Sequence, residues 1–151
     1  MPEWEEEMRA ALRDFLVVAK LAGRMVVAED FEVDCCAAPH VSPRNLPIGK
    51  MALYAFHSPA GWLKIGISGA NSQARYTSQH YHPGSAPGTL ADSLLKDPTF
   101  SHEAFCRDRP GDWIKSDCNR VNILVDARHG RPLHALLEAF LHVRLNPRYE
   151  R

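Results

Sequence analysis

Apolar residues fall into four periodic blocks along the chain, and their periods predict the elements. Trp4, Met8, Ala11, Leu12, Phe15, Leu16 and Ala19 recur at helical spacing, with Pro2 at the start, acids in the first turns and Gly23 at the end. This predicts an amphipathic helix over residues 2–22. Met51–His57 and Trp62–Ser68 read as strands, and Ser58, Pro59, Ala60 and Gly61 between them predict a hairpin. Val121–Asp126 is apolar almost throughout, as a central strand would be. Pro132 opens a last helix in which Leu133, Leu136, Leu137, Phe140 and Leu141 repeat at i, i+3, i+4, i+7 and i+8, and Asn146-Pro147 stops it. Shorter helices are expected at 71–79, capped by Asn71 or Ser72, and at 89–96. Residues 33–47 and 81–88 show no period and read as irregular connections.

These elements describe an α+β chain: a small, mainly antiparallel three-stranded sheet flanked by helices, preceded by an N-terminal amphipathic helix. The aperiodic stretch sets a boundary between an N-terminal helix with its connection, 1–46, and a domain over 47–151. The first helix must bury its apolar stripe on the rest of the chain or on a partner. A homodimer or partner protein held through that helix is therefore one expectation.

Composition narrows the class. Of 151 residues, 45% are hydrophobic and 24% charged, and no apolar run reaches the length of a membrane span, about 20 residues, so membrane and disordered classes are excluded. Eighteen bases balance eighteen acids, but unevenly along the chain. Residues 1–36 hold nine acids and four bases, a balance of −5, and the remainder carries +5 together with all eight His. That larger segment suits contact with a phosphate backbone. Cys35, Cys36, Cys106 and Cys118 form no C-x-x-C pair and read as free thiols. With an acidic rather than a basic-apolar N-terminus, they place the chain in the cytoplasm.

The candidate chemistry lies in five short motifs. Ala52-Leu53-Tyr54 is on the first hairpin strand, Lys64-Ile65-Gly66 on the second, and Gln73-Ala74-Arg75-Tyr76 on the short helix that follows. Leu136-Leu137-Glu138-Ala139-Phe140 and Leu145-Asn146-Pro147 belong to the last helix. Tyr54 falls ten residues before Lys64, Arg75 nine after Gly66, and Glu138 eight before Asn146. In order and spacing, residues 50–149 resemble the GIY-YIG nuclease superfamily, with Ala and Leu replacing Gly and Ile in the first motif and Lys replacing Tyr in the second.

The resemblance implies a metal-dependent endonuclease that hydrolyses phosphodiester bonds, in DNA rather than RNA. Glu138 would hold one divalent ion, Mg²⁺ or Mn²⁺, and Arg75 would clamp the phosphate with its forked donors. Tyr54 would orient or deprotonate the attacking water, and Lys64 would supply the charge that favours its phenolate if both side chains reach one face. Asn146 would support the site by hydrogen bonding, with His80 and Tyr81 as auxiliaries near the end of the hairpin. Two further readings stay open: a nucleic-acid-binding module without turnover, and a zinc site from His134, Glu138 and His142 at i, i+4 and i+8. Helical geometry, about 100° per residue, puts Glu138 outside the apolar stripe, on a solvated flank.

Overall fold

Acids at Glu3, Glu5 and Glu6 complement the positive end of helix α1 (Glu3–Leu21) in a computed structural model whose described residues are 1–149. The helix ends where Gly23, at φ +81°, turns the chain so that Arg24 N–H donates to the Ala19 carbonyl at 2.8 Å. Its apolar stripe, Trp4, Met8, Ala11, Leu12, Phe15 and Ala19, is buried. The partner of that stripe is the chain itself. It packs with Leu133, Leu137, Leu141 and Leu145 of helix α5 (Gly130–Leu145) over one face of the sheet, where Leu53, Ala55, Ile65, Val121 and Ile123 complete the core. Phe15, fully buried, meets Phe31 edge-on at 6.2 Å and Phe140 at 5.8 Å.

The sheet has four antiparallel strands, not the three expected. Strands β1 (Phe31–Cys36), β2 (Lys50–Ser58), β3 (Gly61–Ser68) and β4 (Asn119–Asp126) lie in the order β1-β4-β2-β3. The additional strand overlaps the start of the stretch read as irregular, from Val33 to Cys36. Phe31, Val33 and Cys35 do alternate with Glu32 and Asp34, but only three positions face inward, too few for periodicity to register. Pairing with β4 supplies what local propensity lacks. The boundary expected at residue 46 thus falls between two strands of one sheet. As expected, β4 is interior, flanked by β1 and β2.

Three short helices cover the other face: α2 (Gln73–Thr77), α3 (Leu90–Lys96) and α4 (Pro110–Asp117). Thr89 caps α3 by accepting from Asp92 N–H at 3.2 Å. Helix α4 was not expected; proline is tolerated in its first position because its missing N–H has no helical partner there. This layer packs Tyr76, Leu90, Leu94, Trp113 and Ile114 on Ala52, Tyr54 and Phe56 of β2. With both faces covered, β2 is buried from Met51 to Phe56. Beyond α5 the chain runs along the outer edge of β3, where Arg148 N–H donates to the Trp62 carbonyl at 2.9 Å and Tyr149 N–H to the Leu63 carbonyl at 2.8 Å. The edge past Lys64 is left for the cleft described below. All four cysteines are free, and among the described residues no helix is long and apolar enough to cross a membrane.

Because α1 is part of the core, Phe15→Ala is expected to destabilise the protein by about 3–5 kcal/mol in urea unfolding. A loss below about 1 kcal/mol would show that α1 docks without contributing to the core.

Candidate active site at the sheet edge

Directly opposed residues of an antiparallel pair share a face. Tyr54 on β2 is opposed by Gly66 on β3, and Phe56 by Lys64, so Tyr54, Gly66 and Lys64 all face the layer of short helices. A β-bulge after Phe56 leaves Leu63 as the extra residue and maintains this register up to Lys64. The glycine is required. A Cβ on Gly66 would lie 2.5 Å from the Tyr54 hydroxyl and 2.8 Å from two of its ring carbons, so the phenol occupies the space that any side chain there would fill.

Gly66 also forms the wall of a cleft of about 240 Å³ at the edge of β3, lined by Lys64, Ile65, Gly66, Ile67, Arg75 and Glu138. Arg75 reaches it from α2 on one side of the sheet, and Glu138 from α5 on the other. Lys64 is 1% exposed and Glu138 4%, so the cleft sets a lysine and a carboxylate in a poorly solvated wall. The position of Glu138 corrects the helical-wheel expectation of a solvated flank. That flank of α5 lies against the edge of β3, a neighbour the helix sequence does not reveal. Arg75 is partly exposed, and its Nη1 donates to the Pro87 carbonyl at 3.5 Å.

The other expected residues lie elsewhere. His80 is 1% exposed and packs at a tilt against the Tyr54 ring, with ring centres 4.5 Å apart, behind the cleft wall. Its Nδ1 accepts from Leu90 N–H at 3.1 Å. Burial, reinforced by the charges of Arg75, Arg120 and Lys64, pushes its pKa down to about 2, so the ring is neutral and unsuited to accepting a proton at ordinary pH. The Tyr81 hydroxyl sits in the interior between His40 Nε2 at 2.7 Å and Arg120 Nη1 at 2.9 Å. Asn146 is exposed in the left-handed conformation (φ 48°) that ends α5, about 12 Å along the helix axis from Glu138. It terminates the helix rather than lining the cleft. His134 bonds the Ala52 carbonyl through Nε2 at 2.8 Å, which engages one proposed zinc ligand, and no group of three His, Cys, Asp or Glu among the described residues is placed to share a metal.

The sequence reading missed Arg120, which is 1% exposed beneath Tyr54. Its signal was the alternation Arg120-Val121-Asn122-Ile123, where two polar residues share one face of an otherwise apolar strand. No protein-family model matches the chain, and no curated protein or solved structure matches it.

Two outcomes follow from this geometry. Gly66→Ala should displace Tyr54 and cost about 1–3 kcal/mol by overpacking, and an unchanged unfolding midpoint would contradict the close approach. Burial lowers the pKa values of His40, His57 and His134 as well as that of His80, so the unfolded chain binds more protons than the folded one below about pH 6.5. Stability is therefore fully present above that pH and lost as pH falls towards the depressed folded values. Each such His contributes a slope of at most about 1.4 kcal/mol per pH unit. His80→Gln should flatten the urea-stability profile between pH 6 and 4, and an unaltered slope would rule out a buried neutral His80.

Proposed function

We propose that the protein is a metal-dependent endonuclease with a GIY-YIG-like site, hydrolysing phosphodiester bonds in nucleic acid, DNA in preference to RNA. The observation that carries this reading is the convergence of Lys64, Arg75 and Glu138, from three separate elements, on one cleft whose glycine wall is backed by Tyr54. A cleft with fixed cations around a carboxylate suits an anionic substrate that must be held while charge develops on its oxygens.

Arg75 presents forked donors that match two oxygens of a phosphate, and its partial exposure leaves it accessible from solvent. Lys64 adds a compact positive charge on the same wall. Tyr54, with its hydroxyl oxygen over Gly66, acts as the phenolate that orients the attacking water and takes up its proton to become the neutral phenol, a role that His80 cannot fill with its pKa pushed down by burial. Glu138 is the carboxylate of the cleft and the residue that would hold a divalent ion. One buried carboxylate in a cleft of about 240 Å³ suits Mg²⁺ or Mn²⁺, since Mg²⁺ retains much of its water and uses few protein ligands. When bound, such an ion supplies Lewis-acid polarisation of the phosphate and offsets charge on the leaving oxygen.

A binding module without turnover is the second reading. It is favoured by the complete burial of Tyr54, at 0% exposure, and by the +5 balance of residues 37–151. Incubation of the protein and Glu138→Gln with labelled single- and double-stranded DNA and RNA, in Mg²⁺, Mn²⁺ or EDTA, separates the two. The nuclease reading expects metal-dependent cleavage that falls about a hundredfold or more in the variant, and cleavage unchanged in a clean Glu138→Gln preparation would sink it. Salt-sensitive retention of the same probes without cleavage would establish the binding module.

A further inference from the structure

Arg120, at the start of β4, heads the largest fully buried side chains among the described residues. Its Nε donates to Asn122 Oδ1 at 2.7 Å, Nη1 to the Tyr81 hydroxyl at 2.9 Å and Nη2 to the Tyr76 carbonyl at 2.6 Å. None of these acceptors is a carboxylate. Four rings complete the cage, with the guanidinium carbon 5.6 Å from the centre of Tyr54, 5.2 Å from Phe56, 5.3 Å from Tyr76 and 5.8 Å from Tyr81. A guanidinium remains charged at any working pH, and burying a charge without a counter-charge is costly. Where stability is the sole requirement, a well-packed apolar side chain serves as well or better. What Arg120 adds is a permanent positive field in a medium that screens it poorly.

Three tyrosines share the cage, but Tyr54 is the one whose hydroxyl lies over Gly66 at the cleft wall. Lys64 from β3 and Arg75 from α2 act in the same sense as Arg120, and His80, from the turn after α2, is neutral. Glu138 from α5 lines the cleft beyond Gly66 and opposes them, as does Asp34 of β1, the register partner of Asn122. Cys36, opposite Arg120, has its thiol pushed up to about 11 by burial and by Asp34, so it adds no negative charge near neutrality.

We propose that Arg120 is a positioning residue that acts through Tyr54: its caged guanidinium braces the tyrosine ring and provides the fixed charge that favours the phenolate at the cleft wall. The inference rests on the reading of Tyr54 as the proton-handling group of the cleft, and it assigns to β4 a function for which the sequence had offered only Lys64.

The test is a phenolate-absorbance titration in metal-free buffer, comparing the native protein with Tyr54→Phe so that the difference isolates Tyr54, and repeating the pair in Arg120→Met and Arg120→Lys backgrounds. Tyr54 should ionise about one unit or more higher in Arg120→Met than in the native protein, and return part of the way in Arg120→Lys, which keeps the charge but not the fork. An unshifted Tyr54 in a folded Arg120→Met overturns the proposal. If circular dichroism shows that Arg120→Met does not fold, Arg120→Gln, which removes the charge and keeps polar contacts, takes its place, and an unshifted Tyr54 there overturns the proposal. The absorbance does not require cleavage, so a protein without nuclease activity would defeat the functional reading and leave this measurement intact. Where cleavage is found, the basic limb of the kcat profile should move with Tyr54 across the variants while nucleic-acid Kd stays within about threefold.

Discussion

The register of the β2–β3 hairpin is the constraint on which the site depends. Side chains alternate between faces, so a slip of one residue in β3 would carry Lys64 into the α1–α5 core and set Ile65 or Ile67 against Tyr54. The register is held by burial on both faces. Leu53, Ala55 and Ile65 belong on the side of α1 and α5, and Ala52, Tyr54 and Phe56 on the side of the short helices. Gly66 then has to be glycine, because the phenol opposite takes its side-chain volume. Packing and site geometry here are the same requirement.

An edge position makes the cleft possible. Because β3 ends the sheet, helices from opposite faces can both reach past it, and Arg75 of α2 and Glu138 of α5 meet where no further strand intervenes. The segment after α5 blocks the other half of the same edge through Arg148 and Tyr149, which also protects β3 from pairing with another chain. Asn146 serves this arrangement by ending α5 in a left-handed turn, so that the chain can reverse onto the strand.

Buried polar groups are concentrated on the short-helix side and at the cleft edge. Lys64, His80, Arg120 and Asn122 are all withdrawn from water, while the α1–α5 core is almost wholly apolar. Low exposure has opposite consequences for different groups. It holds His80 neutral and leaves the field of Arg120 poorly screened. The polar layer is therefore where the fold accepts a cost that apolar packing would avoid, and it lies directly behind the cleft.

Periodicity in the sequence determined the long elements: α1 from its stripe, the hairpin from two apolar runs around Ser58–Gly61, β4 from its continuous apolar run, and α5 from its heptad-like leucines. It also supplied Tyr54, Lys64, Arg75 and Glu138 as candidates, because motif spacing is a local property. Short elements escaped it. Strand β1 has only three inward positions, α4 spans barely two turns, and both exist because they pair or pack with distant segments. Tertiary structure alone decided that α1 packs on its own chain, that Glu138 is buried against a strand edge 70 residues away in sequence rather than solvated, and that Asn146 ends a helix away from the cleft. It alone brought Arg120 beneath Tyr54. The physical reason is common to all of these: hydrophobic period and motif spacing act within a few residues, whereas burial and electrostatic environment are set by neighbours that only the folded chain brings together.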